Sequence, residues 1–541
     1  MPRRDAPWRV SGTAWRVSTS VVIVLLAFAA RVWNLGGPSL WLDEAMMLAR
    51  AHADWWTAVV GRVKTDLAPP LYPVLLHAWT AMGIADAFVR FSSVVFGVLA
   101  VAVMSRLTTP SPPVPLSQWR ERGSKTHVLF PPLPLWERGL GGEGWLAALI
   151  FAVAPTQVYH AQQANVYALV ALLSALLFVA AQRAARGERW AWPALTVLAV
   201  VSAYTYYGLA FLFAGLAAWL ATVALRRYLK ALRPRAHPRP PAIGVGLAVV
   251  GAAVLPLLPI AAERSAGSVA AWAGSYAVLG DWAGWPIYGA GLVAEGIVGP
   301  LFPYAQVPPW LALLLTALFA LGAWRRPAWA IFGWLVPMSL AYVASGFGVY
   351  PFSQRHLLFV APAVYAVLAA GLLSLRPVPL RGLAAAALIV VLISGWPTLG
   401  LDVPWRATLP QEEMRPVLEA VAHDRLATDA TYISYGATAA AAHYQELGLL
   451  PTDAYLHMGW FAGRVGVQAD RALAAAGDRP RLWVIVSHAQ PDEEEGLAHA
   501  LTRRGAHLAE RIAAPGAAAL LFDLPSLPSG TDNSVSPSTS H

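Results

Sequence analysis

Two adjacent carboxylates, Asp43 and Glu44, stand in the run Leu40-Trp41-Leu42-Asp43-Glu44-Ala45, a few residues past the first long apolar stretch. Only 13% of the residues are charged, so a paired acid beside Trp41 and Leu42 is a candidate for proton transfer. A carboxylate partly removed from water gains basicity and can take the proton of a hydroxyl. The same residues also read as a helix start, with Ser39 or Asp43 as the cap and the acids favoured by the dipole of a helix running through Ala51. The dipeptide by itself does not separate the two readings.

Two further polar groups stand at the edges of apolar stretches. Tyr159-His160-Ala161-Gln162-Gln163-Ala164-Asn165-Val166-Tyr167 gathers amides, a histidine and tyrosines that can hydrogen-bond a sugar or a phosphate. The plainer reading is an ordinary polar turn. Tyr350-Pro351-Phe352-Ser353-Gln354-Arg355-His356 brings an arginine whose planar fork matches phosphate oxygens. An arginine at a membrane edge also snorkels to head groups with no further role. Arg50, Arg62 and Lys64 are weaker candidates for the same anion, and Tyr204, Tyr206 and Tyr207 form a cluster of the kind that lines membrane interfaces.

No Gly-rich phosphate loop, metalloprotease helix or kinase signature is present. A donor delivered from the membrane therefore fits better than a soluble nucleotide sugar. Nothing in the sequence requires a cofactor, and no metal-ligand set is singled out; a divalent metal, if one takes part, has Asp43 and Glu44 as its place. Cysteine is absent, which excludes disulfides, thiolate metal sites and a cysteine nucleophile.

The elements that must position these residues are membrane helices. The chain is 57% hydrophobic, and its charged share is about half the roughly 25% of a soluble domain. Stretches of the ~20 apolar residues that a bilayer-crossing helix needs recur from Val17 to Leu399. Helices are expected near 17–35, 88–106, 145–159, 166–183, 190–205, 207–225, 243–262, 309–324, 328–345, 356–375 and 382–399, about eleven spans. The segment 69–84 is apolar but short, which suits a helix lying along the interface.

Residues 1–16 hold Arg3, Arg4, Arg9 and Arg16 without a small-residue cleavage site behind a short apolar core, so the first run is an anchor and the N-terminus is cytoplasmic. More than half of the 39 Lys and Arg then fall in cytoplasmic segments. Arg31, Arg50, Arg62, Lys64, Arg90, Arg264 and Arg355 fall on the other side. The net charge of +9 is accounted for by topology, with no nucleic-acid partner. The outer side carries the acids Asp43, Glu44, Asp54, Asp66, Asp86, Glu263, Asp281 and Glu295, and it shares the 159–167 turn and Arg355.

Residues 1–400 thus form a multi-span membrane domain, within which 107–144, rich in Pro, Gly, Ser and Arg, is a disordered cytoplasmic insertion. A second basic, Pro-rich loop covers 233–241. Residues 401–524 alternate helix and strand: helices near 411–424, 436–448 and 491–504, strands at 431–435, 482–486, 507–512 and 517–523. The expectation is a small α/β domain outside the membrane. Residues 525–541 are a disordered tail.

Four stretches, in this order, resemble a known family: Leu35-Gly36-Gly37-Pro38-Ser39-Leu40-Trp41-Leu42-Asp43-Glu44-Ala45, Pro69-Pro70-Leu71-Tyr72, the turn from Tyr159 to Leu169, and Arg355-His356-Leu357-Leu358. They resemble the bacterial branch of the C-type (GT-C) glycosyltransferase superfamily, relatives of the protein O-mannosyltransferases and the lipid A aminoarabinose transferase. The first stretch is the specific one.

The resemblance implies a multi-span inverting transferase of the inner membrane. It would take a sugar from a polyprenyl-phosphate donor and pass it to a lipid, glycan or protein hydroxyl on the extracytoplasmic face. It maps the acceptor-activating acid onto Asp43, with Glu44 in support; substrate binding is expected at Arg355, His356, His160, Gln162, Gln163, Asn165, Tyr167, Arg50, Lys64 and Tyr72. Many bacterial relatives read Gln-Glu-Ala-Arg-x-Tyr where this chain has Gln162-Gln163-Ala164-Asn165-Val166-Tyr167, so an acid and a base are absent here. That departure motivates the alternative of a catalytically impaired scaffold. A transporter or flippase for a lipid-linked sugar is the other rival, and it predicts charged residues inside the spans.

Overall fold

The computed structural model describes residues 12–53, 69–107, 142–231, 290–304, 306–406, 412–456, 465–489 and 492–525. The expected span near 243–262, nearly all of the 107–144 insertion, the 233–241 loop and the tail beyond 525 lie outside these residues. In chain order the membrane-type helices are α1 (Gly12–Val32), α3 (Leu71–Thr80), α4 (Asp86–Met104), α5 (Gly142–Val153), α6 (Pro155–Ala161), α7 (Tyr167–Arg186), α8 (Ala191–Thr205), α9 (Leu209–Ala231), α10 (Pro309–Arg325), α11 (Val336–Gly346), α12 (Ala361–Leu372) and α13 (Val378–Ser394), with α2 (Leu42–His52) after the first. The chain divides into two compact units, one of 1–35, 54–79 and 89–409, the other of 36–53, 80–88 and 410–541.

In the first unit, five stretches among the described residues are long and apolar enough to cross a membrane: Asp86–Met104, Tyr167–Arg186, Leu209–Leu229, Trp329–Gly346 and Gln354–Leu372. The apolar helices at Thr19–Val32, Gly142–Val153, Ala191–Thr205, Pro309–Arg325 and Val378–Ser394 are shorter. This is a helical membrane protein. The short segment 69–84 yields α3, ten residues long, too few to cross a bilayer.

Three expected helices differ in detail, each for a local reason. The one expected over 145–159 is broken after Val153, because Pro155 has no N–H to continue α5 and instead starts α6. The one over 328–345 opens with a π-helical segment, Trp329–Leu335, that runs into α11. The one over 356–375 opens with a tighter 3-10 segment, Gln354–Val360, before α12.

Two contacts fix the frame that carries the candidate turn and the arginine. Arg31 is fully buried and donates to the carbonyls of Phe151 (3.2 Å) and Ala152 (2.9 Å), so a cation sits on the negative end of α5 just before α6 begins. α10 and α12 touch backbone to backbone: a Cβ at Gly322 would lie 1.8 Å from the Val367 carbonyl oxygen, and one at Gly371 2.0 Å from that of Leu318. Small residues permit this approach, as is usual where membrane helices pack without a hydrophobic drive.

The second unit is built on a sheet of β1 (Ala430–Ile433), β2 (Tyr455–Leu456), β3 (Arg481–Ser487), β4 (His507–Ala514) and β5 (Ala517–Asp523), in the order β2-β1-β3-β5-β4. β1 pairs parallel with β2 and β3, and β5 pairs antiparallel with β3 and β4. Alternate residues of β3 serve opposite faces, as the pleat requires. Trp483 and Ile485 join a core with α14 (Met414–Asp424) and α15 (Thr438–Glu446). Leu482, Val484 and Val486 join one with α16 (Val465–Ala476) and α17 (Glu493–Thr502).

Of these elements β2 and α16 have no counterpart among the expected ones. The unit also takes in more than the C-terminal part of the sequence. Ala45 of α2 is a member of the same core as Trp483 and Tyr444, so the helix that carries the paired acids packs on the sheet's α14 and α15 layer.

Candidate functional site

The candidate residues fall into two groups, one in each unit, with Lys64 outside the described residues. In the second unit, Asp43 and Glu44 occupy the first turn of α2 and Arg50 its last, the charge order that the helix dipole favours. The helix buries Glu44, Met47, Leu48 and Ala51, the spacing of one face. Glu44 therefore points into the packed interior and is fully buried, whereas Asp43 is half-buried on the flank. Successive helical positions diverge by roughly 100°, so the two carboxylates leave the helix in different directions. Among the described residues no group of three or more His, Asp or Glu is gathered for a metal.

The strand-like approach to α2 is tied down residue by residue. The Ser39 amide and hydroxyl donate to one oxygen of Glu413, both at 3.0 Å. The Leu40 amide donates to the Tyr444 hydroxyl at 2.8 Å, and the Leu42 amide to Glu412 at 2.7 Å. Arg415 donates to the carbonyls of Gly36 (3.0 Å) and Pro38 (3.2 Å) and pairs with Asp86, which also accepts from Tyr444 at 3.1 Å and faces His443 Nε2 at 2.9 Å. Burial, with the Asp86 charge beside it, pushes the Tyr444 hydroxyl up to about 12.

In the first unit, α6 and the turn after it hold the polar cluster. Thr156 donates to the Gly299 carbonyl at 2.7 Å, and Gln157 to the Tyr365 hydroxyl at 3.0 Å, which fixes α6 from two sides. His160 is sandwiched between Tyr159 and Tyr167, at ring distances of 4.9 and 4.8 Å. Burial first, and then the charge of Arg355, lower the His160 pKa to about 3, with a Gln163 hydrogen bond acting in the opposite sense. His160 is thus a neutral imidazole at physiological pH.

The other turn residues are occupied by the chain itself. The Gln162 amide donates to the carbonyls of Trp33 (2.8 Å) and Ala30 (3.4 Å), and the Asn165 side chain accepts from the Val166 amide at 2.7 Å. Tyr72 is buried and hydrogen-bonds Ser93 at 3.3 Å, which in turn donates to the Asn165 carbonyl at 3.2 Å.

Arg355 and His356 sit half-buried on the 3-10 segment. The His356 ring is held by Ser353, 2.7 Å from Nδ1, and its carbonyl by the Tyr350 hydroxyl at 2.6 Å. The Tyr206 hydroxyl lies 3.1 Å from that of Tyr350, and both phenols are pushed up, chiefly by burial. Tyr167 contacts Tyr206 edge-on, so the turn and the arginine segment meet through aromatic rings. Gly208 leaves the room: a Cβ there would lie 2.2 Å from the Tyr350 oxygen.

Three functional candidates emerge that the sequence reading had not marked as site residues: Glu295, Tyr206 and Tyr350. Glu295 lies on a π-helical segment, Ala294–Val298, of the kind often found at functional sites. Its carboxyl accepts from the Gln354 amide, and burial, outweighing that bond, raises its pKa to about 7.

In the first unit Arg355 can hold an anion's oxygens; in the second, Asp43 can accept a proton. No protein-family profile matches the chain, and no curated protein matches it. Solved structures do, among them ArnT from Cupriavidus metallidurans in the apo state, 12% identical, and the same protein bound to undecaprenyl phosphate, 13% identical, each with a TM-score of 0.51 and each match covering 94% of this chain and 98% of the other. This chain shares its fold with ArnT, in keeping with the fold that the sequence resemblance implies.

Proposed function

We propose that the chain is a membrane glycosyltransferase that takes a sugar from a polyprenyl-phosphate donor and attaches it to a hydroxyl of a lipid, glycan or protein on the extracytoplasmic face of the inner membrane. The observation that carries this reading is the shared fold with a protein whose structure holds undecaprenyl phosphate. In this reading about eleven spans place the N-terminus in the cytoplasm and the sheet domain outside. Asp43, the accessible acid of the pair, takes the acceptor proton as its oxygen attacks the sugar's anomeric carbon. Glu44 supports it from the buried face of α2. Arg355 neutralises the phosphate that leaves with the bond electrons, and a single displacement inverts the anomeric centre. The polar turn around His160, itself held neutral, supplies hydrogen bonds to the sugar.

The test is Asp43→Asn in the full-length chain, reconstituted with radiolabelled mannosyl- and aminoarabinosyl-phosphoundecaprenol and a membrane extract as acceptor. Transfer should vanish while the thermal transition stays in place; turnover equal to that of the unaltered chain would remove Asp43 from the role of base.

A further inference from the structure

The N-cap position of α2 is Trp41, which offers no capping side chain. The first-turn amides of a helix need a partner from elsewhere. Here the Leu42 amide, one residue before Asp43, finds it far along the sequence: Glu412 Oε2 accepts it at 2.7 Å, while the other oxygen, Oε1, lies 2.6 Å from His488 Nδ1. Glu412 is therefore a bridge between the start of the acidic helix and the exit of β3.

Both ends of that bridge are held. His488 adopts a left-handed backbone, φ 49°, directly after β3. The turn opposite it can approach only because residue 436 is glycine, whose Cβ would lie 2.3 Å from the Ser487 carbonyl oxygen and 3.0 Å from that of His488. The hydrogen bond to Glu412 raises the His488 pKa against desolvation, with further support from the charges of Glu412, Asp43 and Glu493. Next to Glu412, Glu413 and Arg415 grip Ser39, Gly36 and Pro38, so the approach to α2 cannot swing independently of residue 412. The carboxylate also sits at the positive end of the helix that carries Asp43, where an anion is favoured.

We propose that Glu412 is a positioning residue for Asp43, a cap supplied from a distant part of the same chain that fixes the first turn of α2 and so the direction of the Asp43 carboxylate. This rests on the transferase reading given above. It makes the sheet domain part of the machinery that aims the base, rather than an appendage to it.

The experiment compares the full-length chain with Glu412→Ala and Glu412→Gln in nanodiscs. It uses the same labelled phosphoundecaprenol donors, and amide hydrogen exchange over residues 40–46 is followed in parallel. Misaiming a reacting group costs turnover rather than donor binding, so Glu412→Ala should lower kcat on the order of ten- to a hundredfold with KM for the donor within about twofold. Exchange at 42–45 should rise while β1 and β3 stay protected. Glu412→Gln keeps an oxygen for the Leu42 amide and should recover most of kcat. A Glu412→Ala enzyme with unchanged kcat, a loss confined to KM, or exchange rising across the whole sheet would overturn the assignment. If the unaltered chain transfers neither sugar, the transferase reading fails by itself, and the exchange at 42–45 decides whether Glu412 locks the helix.

Discussion

The Tyr350 hydroxyl donates to the carbonyl of His356 at 2.6 Å, and so pins the backbone one residue beyond Arg355. The bond spans a buried aromatic cluster and not a helix turn, so the 3-10 segment takes its position from tyrosines rather than from its own ladder. Tyr350→Phe leaves the His356 carbonyl without its shortest bond. The expected loss is about 1 kcal/mol of stability, with a rise of several-fold in KM for the lipid-linked donor. Thermal unfolding and initial rates on the same preparation check both.

Arg355 differs from a generic cation by its fork. Arg355→Lys keeps the charge but not the two-pronged match to phosphate oxygens. Affinity for undecaprenyl phosphate should fall by about tenfold, the size of one charge-assisted hydrogen bond, with little change in the thermal transition. Titration of the nanodisc-embedded protein with undecaprenyl phosphate measures it, and equal affinity would remove the fork from the account.

Glu295 has a pKa raised from 4.5 to about 7, chiefly by burial. The unfolded chain releases this proton near its ordinary pKa while the folded chain keeps it until about 7. The contribution of this group to stability is therefore complete below about 4.5 and is lost as the pH rises to 7. Glu295→Gln removes that slope. Thermal transitions at pH 5 and pH 8 should lie closer together in the variant than in the unaltered chain, and an unchanged gap would contradict the assignment of the slope to Glu295.

The Gly322 and Gly371 contact predicts a large effect from a single methyl. Gly371→Ala places carbon 2.0 Å from the Leu318 carbonyl oxygen, which is backbone and cannot rotate away. Forcing α10 and α12 apart should cost about 1–3 kcal/mol, read as a lowered thermal transition in detergent. Gly382→Ala, where a Cβ meets nothing within 4 Å, is the matched control and should change little.

Much of this was legible along the chain, because apolar length and β-rich runs are local signals. The runs near 88–106 and 166–183 became α4 and α7, and 482–486 became the centre of β3. The chemistry was legible as residue types but not as orientation. Asp43 and Glu44 look equivalent side by side, yet the positions of Met47, Leu48 and Ala51 set a helical face that takes Glu44 and leaves Asp43 out. Gln162 and Asn165 read as ligand-binding amides, but both are engaged with backbone a short distance away.

Glu412 could not be found from the sequence at all. Its partner Leu42 is 370 residues away, and no periodicity connects them. Tyr206 was visible only as an interface aromatic, since its hydrogen-bonding distance to Tyr350 depends on how α8 and the loop after α11 come together. α16 was missed because its apolar face is mostly alanine, Ala469, Ala472 and Ala476, which carries little hydropathy contrast.

The membership of Ala45 in the sheet's core has a practical consequence for anyone shortening this protein. Ending the chain after the last apolar helix removes α14, β1, α15 and β3, whose residues make up the core that Ala45 joins. The remaining 36–53 segment then loses the cover of Ala45 and the hydrogen bonds that tie Ser39, Leu40 and Leu42 to Glu413, Tyr444 and Glu412. Such a fragment should come out of cells as aggregate or be degraded, and its inactivity would say nothing about whether the sheet touches substrate.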